Sequence, residues 1–380
     1  MKDENAVQLL LWLYRQTCAS WWSLEPFLVC FLESGWDGLQ LAIHQSPATI
    51  WEYSSRYDEF PSSRKIALEQ SLETLRDLLW SAHWVDVELA WEESRKAGEI
   101  IVDILAPAYP ESLRRIDDPP PILWCSREVS AEWWGRAFAV VGSRRSSLYG
   151  EKATRAMVEP LVRDYGMTII SGCATGIDSV AHQTCLLSGG VTIGVLGVEL
   201  TQVPFRVKKL FAHERAVLLS EWPPGFGGEG WNFARRNRLI SGLARGVLVV
   251  EAQQKSGTML TVSSALEQGR EVFVVPHNIW SKNAAGVTKL ANNGAKVVLS
   301  ATEIVGDLEE SSAGEFAAKQ YSLEEEQLLE ILRQAEGEMA LADLTLARPD
   351  TISSSQWWQV LQALTEKRAV KNSLGVISIE

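Results

Sequence analysis

The stretch that decides the fold lies past the middle of the chain, where an arginine-rich segment runs into an apolar one. It reads Trp231-Asn232-Phe233-Ala234-Arg235-Arg236-Asn237-Arg238-Leu239-Ile240-Ser241-Gly242-Leu243, followed after three residues by Val247-Leu248-Val249-Val250. This order is typical of a loop or helix N-terminus that leads into a buried strand. It brings three arginines to the rim of an α/β sheet, where such sheets bind ligands. Because guanidinium groups are planar and carry several donors, the stretch indicates a phosphate-bearing partner.

Strand and helix patterns alternate on both sides of this stretch. Several strand candidates are continuous apolar runs, which is typical of strands covered on both faces of a parallel sheet. The alternation predicts a Rossmann-like, doubly wound α/β sheet as the core, over residues 105–306. The predicted strands are Phe138–Val141, Met167–Ile170, Val191–Leu196, Val217–Ser220, Val247–Glu251, Val272–Val275 and Lys296–Leu299. The predicted helices are residues 149–164, 178–188, 234–244, 258–268 and 287–293.

The chain before the sheet has a different pattern. Apolar residues at helical spacing, such as Leu75 and Leu79, predict a small N-terminal helical domain of the helix-hairpin or SAM type over residues 1–104. Eleven of the sixteen tryptophans lie before residue 135, and we interpret them as core, with stacking on nucleic-acid bases as the alternative. Residues 105–135 contain Asp117-Asp118-Pro119-Pro120-Pro121 and predict a loop-rich connector laid against the sheet.

The chain after the sheet indicates a further module. Residues 307–321 are polar and acidic with small residues, and predict a linker. Residues 322–380 then predict helices followed by a hairpin, which is the order of a winged-helix domain; a generic small α+β module is the alternative. The predicted elements are a capping-box start at Ser322–Glu325, helices at Glu326–Gln334 and Gln356–Lys367, and a hairpin over Arg368–Ile379 with Asn372-Ser373 at its turn.

Charge is distributed unevenly along the chain. The formal net charge is −12, yet residues 136–300 carry 19 Lys and Arg against 11 Asp and Glu, a net of +8. Residues 1–135 carry 11 against 22, and residues 301–380 carry 6 against 15. A basic centre between acidic flanks indicates an anion-binding core whose flanks face other partners; ordinary variation among domains is the alternative.

The composition also argues against several classes of protein. No apolar run reaches the ~20 residues that cross a bilayer, and the N-terminus lacks the features of a signal peptide. The five cysteines form no CxxC pair, which indicates reduced thiols and no metal site. We therefore expect a cytoplasmic protein that has neither a membrane partner nor a metal.

Turns rich in glycine and serine follow three of the predicted strands. Such turns leave backbone N–H groups free at helix N-termini, where they bind anions. Because parallel strands end on one rim, the three turns are expected to converge there. None of them is a Gly-x-Gly-x-x-Gly fingerprint or a P-loop, and an arginine in the first turn suits a chain of phosphates better than NAD. The turns are Gly142-Ser143-Arg144-Arg145-Ser146, Ser171-Gly172-Cys173-Ala174-Thr175-Gly176-Ile177-Asp178 and Gln254-Lys255-Ser256-Gly257-Thr258.

Titratable residues near these turns have structural interpretations that we favour over catalytic ones. Asp178 and His182 lie four residues apart and could form an acid–base pair or ligate a metal. An Asp in the first turn of a helix more often interacts with the helix dipole, while the His packs locally. Glu221 and Glu251 each end a strand, and we expect them to pair with arginines of the 235–238 segment.

A set of short stretches, in a fixed order over residues 105–300, carries a resemblance to a known family. The stretches are Tyr109-Pro110-Glu111-Ser112-Leu113-Arg114, Asp118-Pro119-Pro120-Pro121, Val141-Gly142-Ser143-Arg144, Tyr149-Gly150, Ser171-Gly172, Gly176-Ile177-Asp178, Ala181-His182, Val195-Leu196-Gly197, Ser220-Glu221, Pro224-Gly225, Arg235-Arg236-Asn237-Arg238, Ile240-Ser241-Gly242-Leu243, Ser256-Gly257-Thr258 and Glu267-Gln268-Gly269-Arg270-Glu271-Val272. In these stretches the chain resembles the DNA-processing protein A family, called DprA or Smf. The N-terminal domain matches that family only in position and helical character, and the C-terminal segment resembles the winged helix that many members carry.

This resemblance implies a function. It implies a protein that is not an enzyme and needs no cofactor, binds single-stranded DNA without sequence preference, and delivers incoming strands to the RecA recombinase in natural transformation. It also implies a homodimer, and it assigns a contact with the DNA backbone to Arg144. The DNA-binding residues expected from the turns, the arginine-rich stretch and the resemblance are Gly142, Ser143, Arg144, Ser171, Gly172, Arg235, Arg236, Asn237, Arg238, Lys255, Ser256, Gly257 and Thr258.

The chain departs from the family pattern on one side of the expected site. Val203 and Val207 stand where the family has Tyr and Asn, Ala234 where it has Pro, His277 where it has Gly, and Thr288 where it has Asn.

Two alternatives to DNA binding remain. The Ser256-Gly257-Thr258 turn with Glu267 is similar to the Gly-Gly-x-Gly-Thr and Glu of nucleotide phosphoribohydrolases, which share this variant of the Rossmann fold. Here Lys255 and Ser256 replace the glycines. A nucleotide-sensing domain is the third possibility. We predict DNA binding because the Arg-Arg-Asn-Arg segment belongs to the DprA pattern.

Overall fold

The computed structural model divides the chain into two compact units, Met1–Leu308 and Glu309–Glu380. The two units are described separately below. The residues that the structure describes are 2–17, 21–45, 74–75, 77–79, 82–226, 230–278, 280–317, 323–335, 338–340, 344, 347–349, 357, 360–361, 364, 370–373 and 376–379.

The first unit begins with helices, as the sequence predicts. They are α1 (Lys2–Thr17), α2 (Trp21–Gln45) and α3 (Trp84–Ala97). Apolar side chains of α1 and α2, including Leu9, Leu13 and Phe27, are fully buried, because each helix presents one apolar face to its neighbours. Leu75 and Leu79 are helical and buried, while most of the helical pattern predicted around them lies outside the described residues.

A nine-stranded sheet forms the core of the first unit. Its strands are β1 (Ile100–Asp103), β2 (Ile122–Cys125), β3 (Ala137–Val141), β4 (Thr168–Ser171), β5 (Thr192–Leu196), β6 (Ala216–Ser220), β7 (Gly246–Val249), β8 (Glu271–Val274) and β9 (Lys296–Val297). They lie in the order β1-β2-β6-β5-β4-β3-β7-β8-β9. The seven strands from β6 to β9 pair in parallel, whereas β1 and β2 add to the β6 edge in antiparallel fashion. The predicted doubly wound sheet is therefore confirmed.

The sequence predicts no strand before residue 138, and this prediction is wrong, because β1 and β2 lie there. In β2 the four residues Ile122-Leu123-Trp124-Cys125 are all buried, and Trp124 pairs with Ser220 of β6. Pro119–Pro121 come directly before β2 and polar residues come directly after it, so the short apolar run looks like part of a loop in the sequence. It forms because pairing with the edge of β6 satisfies its backbone and covers its apolar side chains.

Helices cover both faces of the sheet. They are α4 (Glu111–Arg114), α5 (Ala131–Gly135), α6 (Leu148–Arg163), α7 (Ile177–Leu187), α8 (Phe205–Leu210), α9 (Gly230–Leu243), α10 (Gly257–Glu267), α11 (Ala284–Asn292) and α12 (Ala301–Ala317). All five predicted core helices are present. Because α12 extends to Ala317, the first part of the stretch expected to be a linker is helical. None of the helices in the described part of the chain is long and apolar enough to cross a membrane.

The order of the strands determines where a ligand can bind. The central strand β3 lies between β4 and β7, and the chain winds outward from it first through β4, β5 and β6 and then through β7, β8 and β9. The turns after β3, β4 and β7 therefore diverge and leave a crevice at the carboxyl ends of these strands, which is the switch point of a doubly wound sheet.

The second unit contains α13 (Leu323–Gln334) and the strands β10 (Glu338–Ala340), β11 (Val370–Ser373) and β12 (Val376–Ile379). The strands form an antiparallel sheet in the order β10-β12-β11. Its buried core includes Leu328 and Trp357. The winged-helix assignment stays a prediction, because most of the predicted second helix, Gln356–Lys367, lies outside the described residues.

The predicted C-terminal hairpin is confirmed, but its turn was placed wrongly. Asn372 pairs with Ile377 and Ser373 pairs with Val376, so both residues lie in β11 and not in the turn. The strand extends two residues further than expected because the backbone of these two residues pairs with β12.

Candidate functional site

A cleft of about 510 Å³ opens at the switch point of the sheet. It is called the rim cleft below. The end of β3, the turns after β3 and β7, the first turn of α7 and one face of α9 and α10 enclose it. Its lining residues are Val141, Gly142, Ser143, Arg144, Arg145, Ala174, Asp178, Gly230, Phe233, Ala234, Arg236, Asn237, Ile240, Gln253, Ser256, Gly257, Thr258, Leu260 and Thr261.

The turn after β3, residues 142–147, presents two arginines to solvent. It is called the arginine turn below. The N–H of Arg145 donates to Oγ of Ser143 at 3.1 Å, and this hydrogen bond closes the turn. Both Arg144 and Arg145 are exposed. Among the described residues, the guanidinium of Arg144 makes no hydrogen bond or ion pair, so its donors are free for a ligand.

The turn after β4 holds the arginine turn in place. Gly176 has φ 77° and ψ −132°, a conformation that side-chain-bearing residues avoid, and a Cβ atom there would overlap the carbonyl oxygen of Ser143. The hydroxyl of Thr175 donates to the carbonyl of Arg144 at 3.1 Å, and the N–H of Ile177 donates to the carbonyl of Ser143 at 3.2 Å. The two turns thus interlock, which fixes the backbone beneath the exposed guanidinium.

The N-terminus of α10 forms the opposite wall of the cleft. Ser256 is its N-cap residue, and its hydroxyl donates to the carbonyl of Gln253 at 3.0 Å rather than capping the helix. The Thr258 hydroxyl donates to the carbonyl of Gly142 at 3.1 Å and so ties the helix to the arginine turn. Lys255 is exposed at this end, beside the positive end of the helix dipole. This wall is suited to an anion.

Arg236 lies beneath the cleft and is buried. Its Nη1 donates to the carbonyl of Gly172 at 2.8 Å and to the carbonyl of Val195, and its Nε donates to Oδ1 of Asn237 at 3.2 Å. Burial lowers the pKa of the Arg236 guanidinium. Its Nη1 and Nε are thus held by other groups of the protein, and Arg236 contributes positive charge to the cleft from below. Its expected contact with DNA stays a prediction.

Arg235 and Arg238 point away from the cleft. Arg238 binds Glu221, with Nη2 2.6 Å from Oε2, and its Nε lies 3.2 Å from Oδ2 of Asp118. Arg235 lies 3.5 Å from the same Glu221 carboxylate and stacks over the ring of Trp222. Both guanidinium groups are held in ion pairs with carboxylates, which gives the two arginines a structural role, and their expected contact with DNA stays a prediction.

The predicted pairing of Glu221 with the arginines is confirmed, but the same prediction for Glu251 was wrong. Glu251 is fully buried and accepts hydrogen bonds from the backbone N–H of Ser147 at 3.0 Å and from Nδ2 of Asn283 at 3.2 Å. The Ser147 hydroxyl also donates to it, and Nε2 of His277 lies 3.3 Å from its Oε1. Glu251 thus supports the end of the arginine turn.

Two further predicted residues support the site from inside. The Ser171 hydroxyl is fully buried and donates to the carbonyl of Val140 at 2.6 Å, so it links β3 to β4, and its expected contact with DNA stays a prediction. Gly172 is buried as well, with its carbonyl bound by Arg236. Asn237 lines the cleft, and its Nδ2 donates to the carbonyl of Gly257 at 3.3 Å.

Asp178 and His182 are buried and engaged in structural contacts. The Asp178 carboxylate accepts the N–H groups of Gly172 at 3.1 Å and Ala174 at 3.3 Å, while burial raises the pKa of Asp178. His182 places Nδ1 2.6 Å from the Thr192 hydroxyl, and burial, with Arg236 nearby, lowers its pKa to about 3. The two side chains turn to different partners, which agrees with their structural interpretation.

The structure adds cleft residues that the sequence analysis missed. Phe233 is 40% exposed on α9, and its ring lies so close to Gly197 that a Cβ there would be 2.7 Å from the ring. Arg145, Gln253 and Leu260 also line the cleft. Phe233 could have been found, because it lies two positions before the arginine cluster and single-strand sites combine aromatic rings with cations.

A search of the described residues finds no group of three or more His, Cys, Asp or Glu that could hold a metal ion. The cysteine in the β4–α7 turn is also unsuited to chemistry, because burial raises the pKa of the Cys173 thiol to about 12.

A largely parallel sheet whose switch point carries an exposed arginine, interlocked glycine turns and a helix N-terminus defines a Rossmann-like core with a cleft suited to an anion. The family model described as DNA recombination-mediator protein A matches residues 100–309, and the chain belongs to this family. The family resemblance seen in the sequence is thereby confirmed.

Two relatives and one solved structure illustrate the similarity. DNA processing protein DprA of Bacillus subtilis (strain 168) is 37% identical over 219 residues, which are 57% of this chain and 73% of that protein. Protein Smf of Escherichia coli (strain K12) is 39% identical over 252 residues, 64% of this chain and 66% of that protein. The X-ray structure of DNA processing protein A from Streptococcus pneumoniae covers 61% of this chain and 85% of its own, with 31% sequence identity and a TM-score of 0.51.

Proposed function

We propose that this protein binds single-stranded DNA in the rim cleft without sequence preference and delivers it to the RecA recombinase in natural transformation. The observation that carries the proposal is the exposed guanidinium of Arg144, which no described residue neutralises. The charged residues of the cleft lining are Arg144, Arg145 and Arg236 against Asp178 alone. An excess of cations at a rim with free backbone donors favours a polyanion.

The cleft suits a single strand better than a duplex. A volume of about 510 Å³ is on the scale of a small-ligand site, so it can take an unpaired nucleotide but not a double helix. Phe233 supplies an exposed aromatic face beside the arginines. Every base has a π-face, so stacking on Phe233 would not discriminate between sequences.

The carboxylate in the cleft lining favours binding over catalysis. Hydrolysis of a nucleotide at the ribose needs a free carboxylate in the cleft. Asp178 is the one carboxylate in the described lining, and it is buried and accepts two backbone N–H groups. We therefore propose a binding protein rather than an enzyme. Its action on the recombinase, its homodimeric state and its cytoplasmic location are proposed from its membership of a recombination-mediator family.

The test is equilibrium binding of a labelled single-stranded oligonucleotide, with the matched duplex as control, across a salt series. We expect preference for the single strand and an affinity that falls as salt rises, because phosphate contacts release counterions. Assembly of RecA filaments on the bound strand would then test delivery. Failure to bind at low salt, or release of a free base from a mononucleotide, would instead favour a nucleotide-binding or hydrolytic role.

A further inference from the structure

We propose that the bound strand continues from the rim cleft onto a second surface, formed by Leu148, Tyr149, Trp280 and Lys282, and that a base stacks on Trp280. This inference rests on the proposed function. The surface is called the Trp280 surface below. Trp280 is 86% exposed, Leu148 80% and Tyr149 47%. Tyr149 contacts Pro276 and His277 of the loop that carries Trp280, and exposed aromatic side chains on neighbouring elements mark an interaction site.

The Trp280 surface is joined directly to the arginine turn. Asn283 belongs to the loop between β8 and α11 that carries Trp280, and its Nδ2 donates to the carbonyl of Arg145 at 3.2 Å. The same amide group donates to Glu251, which also accepts the N–H of Ser147 at the end of the arginine turn. A strand that leaves the exposed arginines therefore meets this loop next.

The N-terminus of α6 holds the loop on its other side. The Tyr149 hydroxyl donates to the carbonyl of Pro276 at 2.7 Å, and its ring packs edge-on against His277 with the ring centroids 4.9 Å apart. Further along the loop, the N–H of Trp280 donates to Oδ1 of Asn278 at 3.1 Å. These contacts anchor the loop on both sides of the exposed indole, so little ordering of the loop is needed when a base binds.

The chemistry of the surface suits a nucleic acid strand. An indole ring has a broad π-face on which any base can stack, and Lys282 supplies an exposed cation two residues away for the phosphate. Arg145 is exposed at the cleft end of the same path. Alternating cations and aromatic rings are what binds single strands without sequence preference. The occupant is therefore the same strand, extended by at least one nucleotide.

The experiment compares two lengths of oligothymidylate, about 4 and about 12 nucleotides, which bracket the usual site sizes of single-strand binders. We expect Trp280→Ala to lower the affinity for the longer strand about tenfold and to leave the shorter one unchanged, since the shorter strand occupies the rim cleft. Trp280→Phe should keep most of the affinity and lose part of the fluorescence quenching caused by the strand. Leu187→Ala removes an equally exposed apolar side chain from the end of α7 and is the matched control.

The outcomes are distinct. If Trp280→Ala binds the longer strand as tightly as the wild type, the proposal is overturned. If it changes sedimentation of the protein without changing DNA affinity, the surface contacts a second copy and the proposal is equally overturned. If the wild type binds neither oligonucleotide, the proposed function itself fails. If the wild type binds both lengths and Trp280→Ala loses affinity only for the longer strand, the proposed function and the role of the Trp280 surface are both supported.

Discussion

The carboxylate of Glu221 is fully buried at the end of β6 and is held by Arg238, with Nη2 of the arginine 2.6 Å from Oε2. Nη1 of Arg238 donates to the other carboxylate oxygen at 3.0 Å, so the pair is bidentate. Arg238 therefore links α9 to the end of β6 through both of its Nη groups.

Arg238→Ala should lower the free energy of unfolding by about 3 kcal/mol, because it leaves a buried carboxylate without its main partner. Urea denaturation measures this loss. The double variant Arg238→Met with Glu221→Leu should recover part of it, because it removes both charges. An Arg238→Ala variant as stable as the wild type would contradict the structural role. A folded Arg238→Ala variant that binds DNA much more weakly would also contradict it.

Arg144→Ala should weaken binding to strands of every sequence by a similar factor, because Arg144 contacts phosphate and not bases. The slope of log affinity against log salt should fall by about 0.7, the value expected for one phosphate contact with a single strand. Arg163→Ala is the control, because it removes one exposed charge at the far end of α6. An unchanged salt slope in Arg144→Ala would remove this residue from the site.

Phe233→Ala should lower affinity for single strands about tenfold without changing the salt slope, because the ring stacks on a base and carries no charge. Phe233→Tyr should bind nearly as well as the wild type. The titrations with labelled oligonucleotide measure both. Equal affinity for the Ala and Tyr variants would mean that the ring does not touch a base.

Gly176→Ala should destabilise the fold by more than about 2 kcal/mol and abolish DNA binding, because strain and a clash with the Ser143 carbonyl displace the arginine turn. Gly189→Ala tests a positive φ without the clash. Gly189 has the same φ of 77°, but the nearest group to an added Cβ, an Arg215 nitrogen, is 3.9 Å away. Thermal unfolding and DNA titration measure the two effects. Equal losses in both variants would show that the interlocked turns contribute nothing beyond backbone strain.

His182 should make the protein less stable as pH falls from 7 to 5. Burial, and then Arg236, hold its pKa at about 3 in the folded protein, whereas the unfolded chain takes up the proton near 6.5. Between these values the unfolded state binds more protons, so acid favours unfolding, by about 2 kcal/mol at pH 5.

The difference between wild type and His182→Asn isolates this effect, because other groups that titrate nearby, such as Asp178, are present in both. The Thr192 hydroxyl already donates to Ile169, so Nδ1 of His182 is the donor to Thr192, and an Asn amide can replace it. Urea unfolding at pH 5 and pH 7 measures the change. An identical loss of stability between the two pH values in both proteins would contradict it.

Local sequence patterns predicted most of the parallel sheet. The seven strands from β3 to β9 and their helices follow from apolar runs and glycine turns, which act over a few residues. The antiparallel strands β1 and β2 escaped prediction, because Ile122–Cys125 is a four-residue apolar run after three prolines and becomes a strand only by pairing with β1 and with β6, almost a hundred residues further on.

Much less of the candidate site could be predicted. Arg144 and the α10 turn lie at the rim, as expected, and Phe233 adds to them. The side chains of Ser171, Arg235, Arg236 and Arg238 are instead engaged by other groups of the protein. In the sequence Arg235, Arg236 and Arg238 are nearly equivalent, since a helical pattern does not reveal which face meets a carboxylate.

The sequence by itself determined the order of the parallel strands and their helices, the glycine turns and the family, because hydrophobic periodicity and backbone preference are short-range properties. Only the tertiary structure decided which arginine is free. Arg236 is bound by a carbonyl 64 residues away and Arg238 by a carboxylate 120 residues away, as well as by Glu221. Such partners meet only when the sheet closes around them, and Arg144 is left facing solvent because the described structure brings no carboxylate to its guanidinium.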